Sequence, residues 1–252
     1  MNALVLAGSR PGGDPLAREA GAAHKALIEV GGKPLLARVV AALREAQCAR
    51  IFVCCEEGPV AELARTLGAE IVAPAAGPSG SVLRALETCG TPMLVTTADH
   101  ALLRPEWVRE LIECAPADCD LAVMLAERAR IEAAMPRSRR TYLRFADGHW
   151  SGCNLFYLRT PAARAAVEEW TRVEADRKRP WRIVARLGLG LLVSYALGRL
   201  SLAEGLARLG EGIGVRAALV PASDGLAAVD VDTPRDLEDV RALIEREASP
   251  RR

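Results

Sequence analysis

The chain has 252 residues, 50% of them hydrophobic and 26% charged, enough to bury one sizeable core. Its formal net charge of +1 creates no long-range field, which argues against broad capture of nucleic acid or an anionic membrane; a charged ligand must be held locally. The seven cysteines (Cys48, Cys54, Cys55, Cys89, Cys114, Cys119 and Cys153) form no C-x-x-C pair and have no histidines at zinc spacing, so reduced, mostly buried thiols and a cytoplasmic location are expected.

In chain order, residues 1–6 read as a strand. Met1-Asn2 lacks a basic start and the apolar run ends at Ala7, too short for the core of a signal peptide. A helix over 34–46 (PLLARVVAALREA), a strand over 51–55, a helix over 60–67 stopped by Gly68 and a strand over 70–73 follow. A helix over 81–89 and a buried strand over 92–97 (PMLVTT) complete an alternation that predicts a parallel sheet with crossover helices. Asp99 stands just past the carboxyl end of that last strand, the rim where open α/β sheets gather ligands.

The second half is less regular. A strand is expected over 121–125 and a polar, basic connection over 127–140. Strands over 141–145 and 154–158, around the turn Asp147-Gly148, suggest an antiparallel addition. Helical patterns run to Glu174 and again over 183–209, strands are expected over 215–220 and 227–231, and Thr233-Pro234 opens a terminal helix. The run IVARLGLGLLVSYALGRL (183–200) is bracketed by Arg186 and Arg199 and falls short of the ~20 apolar residues a span needs, so no transmembrane segment is expected. It reads as a buried or amphipathic helix, with peripheral membrane contact as the alternative; residues 187–197 could serve a homodimer interface as readily as the core.

The first strand breaks into LVLAGSRPGGD (4–14). Small residues there let backbone N–H groups approach an anion closely, and Arg10 makes the turn a candidate phosphate clamp; the plainer alternative is a connection shaped by Gly and Pro. Two phosphate loops are excluded. Gly31-Gly32-Lys33 is followed by Pro34 where G-x-x-x-x-G-K-[ST] needs a hydroxyl, and Gly8-Ser9-Arg10-Pro11-Gly12-Gly13 has the wrong register for G-x-G-x-x-G.

Next comes HKALIEVGGKPLLARVV (24–40). In these residues the chain resembles the GT-A-like nucleotidyltransferases, the superfamily of molybdenum-cofactor guanylyltransferases and sugar- or polyol-phosphate cytidylyl- and uridylyltransferases. Leu6-Ala7-Gly8 and Arg10 match the first part of the family's L-A-G-G-x-G-x-R opening, and Lys25, Leu27, Gly32, Lys33, Pro34 and Leu35 match the second part, P-K-x-L-x-x-[IV]-x-G-[KR]-P-[LM]. Ser9 replaces the second Gly, Arg10 arrives early and His24 stands where Pro is common. Further on, TTADHALL (96–103) resembles the strand-end D-x-P-x-[LI], with Ala101 in the Pro place, and AAVDVDTPRDL (227–237) resembles D-[VI]-D-T-P-x-D-L.

The resemblance implies an α/β fold, a Rossmann-like GT-A-type α/β/α three-layer arrangement with a mostly parallel mixed sheet and a smaller acceptor-side β/α addition. One domain spans 1–252, with an NTP-binding half at 1–120, an acceptor-side insertion at 121–226 and a metal-binding strand and terminal helix at 227–247. It implies Mg2+ on Asp99 with Asp230 or Asp232; along an extended segment the last two point to opposite faces, so one of them reaches the metal. Helix capping by Asp232 or Thr233 is the alternative. Arg10 and Lys25 are the implied catalytic groups, stabilising charge on the α-phosphate and on pyrophosphate. Nucleotide contacts are carried over to Leu6, Ala7, Gly8, Ser9, Arg10, Lys25, Asp99 and, from GPSGSVLRAL (77–86), Ser79, Gly80 and Ser81, the last equally readable as a helix cap. Acceptor contacts fall on Arg139, Arg140, Asn154 and Lys178, in basic stretches that otherwise read as a solvated face.

The implied reaction moves NMP, with CMP favoured by Ser81-Val82, from an NTP to a small phosphorylated sugar, polyol or glycerate, releasing pyrophosphate. An ionised phosphate needs no general base, in keeping with the lack of a Ser-His-Asp or Cys-His set; His24, His100 and His149 read as structural or rim-lining. A molybdenum-cofactor-type guanylyltransferase and a non-catalytic nucleotide sensor are the alternatives.

Overall fold

The computed structural model describes residues 1–9, 12–136, 138, 140–176 and 189–248. The first strand, β1 (Asn2–Leu6), leads to a short helix, α1 (Pro15–Glu19), capped by Asp14, and to a 3-10 turn at Lys25–Leu27. A hairpin of β2 (Glu29–Val30) and β3 (Lys33–Pro34) turns through Gly31 and Gly32, at φ 59° and 70°, a left-handed pair that glycine adopts without steric cost. The hairpin feeds α2 (Leu35–Glu45). Then come β4 (Arg50–Cys54), α3 (Pro59–Thr66), β5 (Glu70–Val72), α4 (Gly77–Cys89), β6 (Met93–Thr97) and α5 (Pro105–Cys114). The second half supplies β7 (Leu121–Glu127), α6 (Arg128–Ala134), β8 (Leu143–Phe145), β9 (Gly148–Leu158), α7 (Ala163–Asp176), α8 (Leu189–Ala196), α9 (Leu202–Glu211), β10 (Ala217–Pro221), a 3-10 turn at Gly225–Ala228 and α10 (Pro234–Ala248).

One eight-stranded sheet joins both halves in the order β10-β7-β9-β6-β1-β4-β5, with β8 on β9. All its pairings are parallel except those of β9, which runs antiparallel between β6 and β7 and against β8. Along β1 the alternation splits the core: Ala3 and Val5 join the cluster under α2 and α5 (Leu36, Val39, Leu43, Val108, Leu111), and Leu4 joins the cluster under α4 and α7 (Val82, Ala85, Ala163, Val167). Each wholly buried leucine among them adds about 1.5–3 kcal/mol. The expected three-layer α/β/α arrangement with a mostly parallel mixed sheet is what the structure shows.

Several expectations are corrected. Helices α5 and α6 occupy stretches left without structure, α6 within the supposed polar connection, because Ile131 is fully buried. Strand β9 begins at Gly148 rather than 154 and sits inside the sheet, not beside it. Residues 227–231 are not a strand: Ala227 and Ala228 close a 3-10 turn, and the Val231 N–H donates to the Asp99 carbonyl at 3.1 Å instead of joining a ladder. The helical pattern over 183–209 breaks at Gly198 (φ 64°) into α8 and α9, and its residues 183–188 lie outside the described set. On and just after α8, Val193, Tyr195 and Leu197 are exposed, which removes the buried-helix reading for them. Among the described residues no helix is long and apolar enough to cross a membrane.

Candidate active site

The carboxyl ends of β1, β4, β5 and β6 open on a cleft of about 380 Å³. Its walls are the loop after β1 (Ala7, Gly8, Ser9), Glu56 after β4, Pro74 and Ala75 after β5, the first turn of α4, the end of β6 through Asp99, and His24 with Lys25. A second, larger cavity of about 770 Å³ lies between the sheet, α7 and α9; it shares no residue with this cleft and is lined chiefly by aliphatic and aromatic side chains.

Lys25 is placed by the 3-10 turn that His24 caps, the His24 Nδ1 accepting the Ala26 N–H at 3.0 Å. Its Nζ donates to Asp99 Oδ2 at 2.7 Å and to Asp232 Oδ1 at 2.5 Å, joining strand end and chain tail across one cation. Burial works against the ammonium charge, yet Asp99 and Asp232 outweigh it and hold the Lys25 pKa above the ordinary lysine value. Asp99 is oriented by the Thr97 hydroxyl, which donates to its Oδ1.

Asp232 is free to face Lys25 because the helix start is capped by others. Thr233 Oγ1 accepts the Asp236 N–H at 3.2 Å, and Asp236 Oδ2 accepts the Thr233 N–H at 2.8 Å, a reciprocal capping box. Asp230 has different partners: Arg140 Nη2 donates to its Oδ1 at 2.7 Å and Asn154 Nδ2 to its Oδ2 at 2.8 Å. Burial raises the Asp230 carboxyl pKa, with Arg140 opposing and Asp232 and Asp99 adding to the rise. Asn154 reaches it from a bulge in β9, where the register with β7 shifts between Val123 and Leu125 and Asn154 adopts φ 50°; bulges of this kind re-aim side chains.

The sequence-expected residues thus fall into groups. Leu6, Ala7, Gly8, Ser9, Lys25, Ser81 and Asp99 line one cleft; Asp232 reaches it through Lys25. Asp230, Arg140 and Asn154 form an adjoining cluster. Ser81 lies inside α4 rather than at its cap, donating to the Gly77 carbonyl at 2.9 Å and accepting the Ala75 N–H at 3.0 Å. Ser79 and Gly80 are not among the cleft-lining residues. Arg10, Arg139 and Lys178 lie outside the described residues. Sequence reasoning missed Glu56, a cleft-wall residue whose Oε2 accepts the Ser9 N–H at 3.4 Å; its place just beyond β4 was the available signal. It also missed Thr97, whose hydroxyl orients Asp99.

The remaining polar groups nearby do structural work. His100 is fully buried, stacks on Trp107 at 5.9 Å, and is pushed down to about 4 by burial, so it is neutral at physiological pH. Burial raises the Cys153 thiol, leaving it protonated and unsuited to nucleophilic attack.

Mostly parallel strands, a glycine-bearing loop after β1 and a lysine bracketed by two carboxylates at the strand ends define an α/β protein with a polar cleft at the carboxyl rim of its sheet. The sequence profile of the MobA-like NTP transferase domain matches residues 3–189, and the chain belongs to that family of nucleotidyltransferases. It is 26% identical over 234 residues, 88% of this chain and 87% of the other, to a 3-deoxy-manno-octulosonate cytidylyltransferase of Rhodospirillum centenum. A hypothetical transferase structure from Thermus thermophilus superposes with TM-score 0.81 at 33% identity, covering 94% of this chain and 98% of that one. A CMP:2-keto-3-deoxy-manno-octonic acid synthetase complexed with CTP superposes with TM-score 0.59 at 18% identity, covering 98% of this chain and 100% of that one, a likeness of fold.

Proposed function

We propose that this nucleotidyltransferase moves CMP from CTP to a small phosphorylated acceptor, a sugar, polyol or glycerate phosphate, with release of pyrophosphate. The observation that carries the reading is Lys25 Nζ shared by Asp99 and Asp232 at the mouth of the glycine-bearing loop. The cytidylyl relative supports CTP as donor.

In this reading the backbone N–H groups of Gly8 and Ser9 receive the triphosphate, and Lys25 neutralises charge on the α-phosphate. An acceptor phosphate oxygen forms the new bond to the α-phosphorus while the bond to the bridging oxygen breaks, and the electron pair leaves with pyrophosphate. No proton needs removal, so the residues align and neutralise two anions rather than supply a base. Arg140 and Asn154 face the acceptor side.

The oxygen donors suit magnesium: Asp99 and Asp232 already converge on one cation, whereas among the described residues no cluster of three or more metal-binding side chains gathers. Two carboxylates completed by substrate phosphates are a usual magnesium arrangement. Asp99 with Asp232 would hold the ion, which supplies charge neutralisation at the triphosphate.

The test is pyrophosphate release with magnesium and each of CTP, UTP, GTP and ATP against phosphorylated sugars, polyols and glycerates, with sugar acids as a further arm. CTP-dependent release is expected. Release with GTP alone would support the guanylyl alternative, and nucleotide binding without release from any pair would support a sensor. Lys25→Ala and Asp99→Ala should each lower turnover by about 10²–10³-fold while the fold survives; wild-type rates in both would remove the site assignment.

A further inference from the structure

Helix α7 belongs to the acceptor half, yet it is tied to the helix that opens the nucleotide cleft. The two helices run antiparallel, as two polar contacts show. Arg164 Nη2 meets Glu87 Oε1 at 3.2 Å at one end, and the Ser79 hydroxyl donates to Glu174 Oε2 at 2.5 Å at the other. Ser79 is completely buried, and a Cβ added to Gly77, which sits at φ 78°, would lie 2.9 Å from the same Glu174 oxygen. The carboxylate is therefore packed against the first turn of α4. That position suits its charge: near the C-terminus of its own helix it would be disfavoured, whereas the N-terminal turn of α4 presents unpaired N–H groups and a positive end.

Gly77, Pro78 and Ser81 of that same turn line the cleft, while Glu174 does not. On the basis of the nucleotidyl-transfer reading, we infer that Glu174 is a positioning residue for the nucleotide, holding the α4 first turn through Ser79 in the conformation that receives CTP. It acts from behind the wall. A second consequence is that the acceptor half sets the shape of the nucleotide half; in sequence Glu174 stands four residues before Lys178, an expected acceptor contact.

The experiment measures CTP affinity, with magnesium present, by calorimetry on the full chain for wild type, Glu174→Ala, Glu174→Gln, Ser79→Ala and the Glu174→Ala/Ser79→Ala pair, alongside KM and kcat. Glu174→Ala should weaken CTP binding about tenfold, the loss expected of one charge-assisted hydrogen bond, and raise KM with kcat nearly unchanged. Glu174→Gln keeps an acceptor for Ser79 and should restore most of the affinity. The double variant should be no weaker than either single one, because both remove the same contact. Unchanged affinity in Glu174→Ala, additive losses, or a fall in kcat at constant KM would overturn the inference. Should Glu174→Ala fail to fold, Ser79→Ala and Glu174→Gln carry the same comparison. Because binding is read directly, a wild-type chain that binds CTP but releases no pyrophosphate would overturn the transfer reading alone; one that binds no nucleotide would overturn both.

Discussion

At the scale of single residues, the two aspartates of the tail segment are chemically unequal although two positions apart. The Asp232 side chain is 51% exposed and shares Lys25 with Asp99; that of Asp230 is 13% exposed and is spent on Arg140 and Asn154. Removing each charge should have a different effect. Asp232→Asn should lower kcat by about 10²-fold and raise the magnesium requirement, since it leaves one carboxylate at the proposed magnesium site. Asp230→Asn strands the Arg140 guanidinium, itself only 15% exposed, and should cost about 1–3 kcal/mol of stability with a smaller effect on turnover at saturating magnesium. Steady-state kinetics over a magnesium series and urea unfolding separate the two. If Asp230→Asn proved the metal-dependent variant and Asp232→Asn the unstable one, the roles assigned here would be reversed.

Among elements, the second half is tied together by one buried carboxylate. Asp120, at the entry to β7, accepts from the Arg216 N–H at 2.9 Å and Arg216 Nε at 3.2 Å ahead of β10, and from Thr160 Oγ1 at 2.7 Å beyond β9. The Arg216 side chain and N–H, with the Thr160 hydroxyl, hold the Asp120 carboxyl well below the ordinary carboxylate range. A depressed carboxylate stabilises the fold above its unfolded pKa and loses that contribution as pH falls through the folded value. Wild type should therefore exceed Asp120→Asn by about 1–3 kcal/mol at pH 7, and the gap should narrow below about pH 4. A gap that stayed constant from pH 7 to pH 3 would show that charge is not what Asp120 contributes. The elements differ in how far the sequence announces them. Alternating apolar runs closed by Gly and Pro locate β1, β4, β5, β6 and α2 from local pattern alone. Strand β9 could be read as a strand but not as the antiparallel insert between β6 and β7, since its partners on those two strands are at least 23 residues away. Residues 227–231 imitate a strand by alternation, while the Ala227 and Val229 N–H groups bond within the local 3-10 turn and the Val231 N–H donates to the Asp99 carbonyl.

For the whole molecule, the site is assembled from distant parts of the chain, and the same distances decide what the sequence reveals. Lys25, Asp99 and Asp232 were legible because each sits in a local motif; Glu174 was not, because it lies in no such motif and its partner Ser79 is 95 residues away. Such a cleft couples ligand to global stability. A nucleotide that bridges the β1 loop, Lys25 and the Asp99–Asp232 pair binds only the folded chain, so it must stabilise the fold by mass action. At CTP and magnesium concentrations near 100 times Kd the gain is about 2.7 kcal/mol, equivalent to a Tm rise of roughly 5–10 °C for a protein of this length. Magnesium alone should give a much smaller rise, since two carboxylates without phosphates form a weak site. In Asp99→Asn the CTP-dependent rise should shrink towards the magnesium-alone value, and in Glu174→Ala it should move to higher CTP concentration without losing its full height. Thermal unfolding across a CTP titration measures all three, and a rise in Asp99→Asn equal to that of wild type would mean that the nucleotide binds without the cation site on which the proposed chemistry depends.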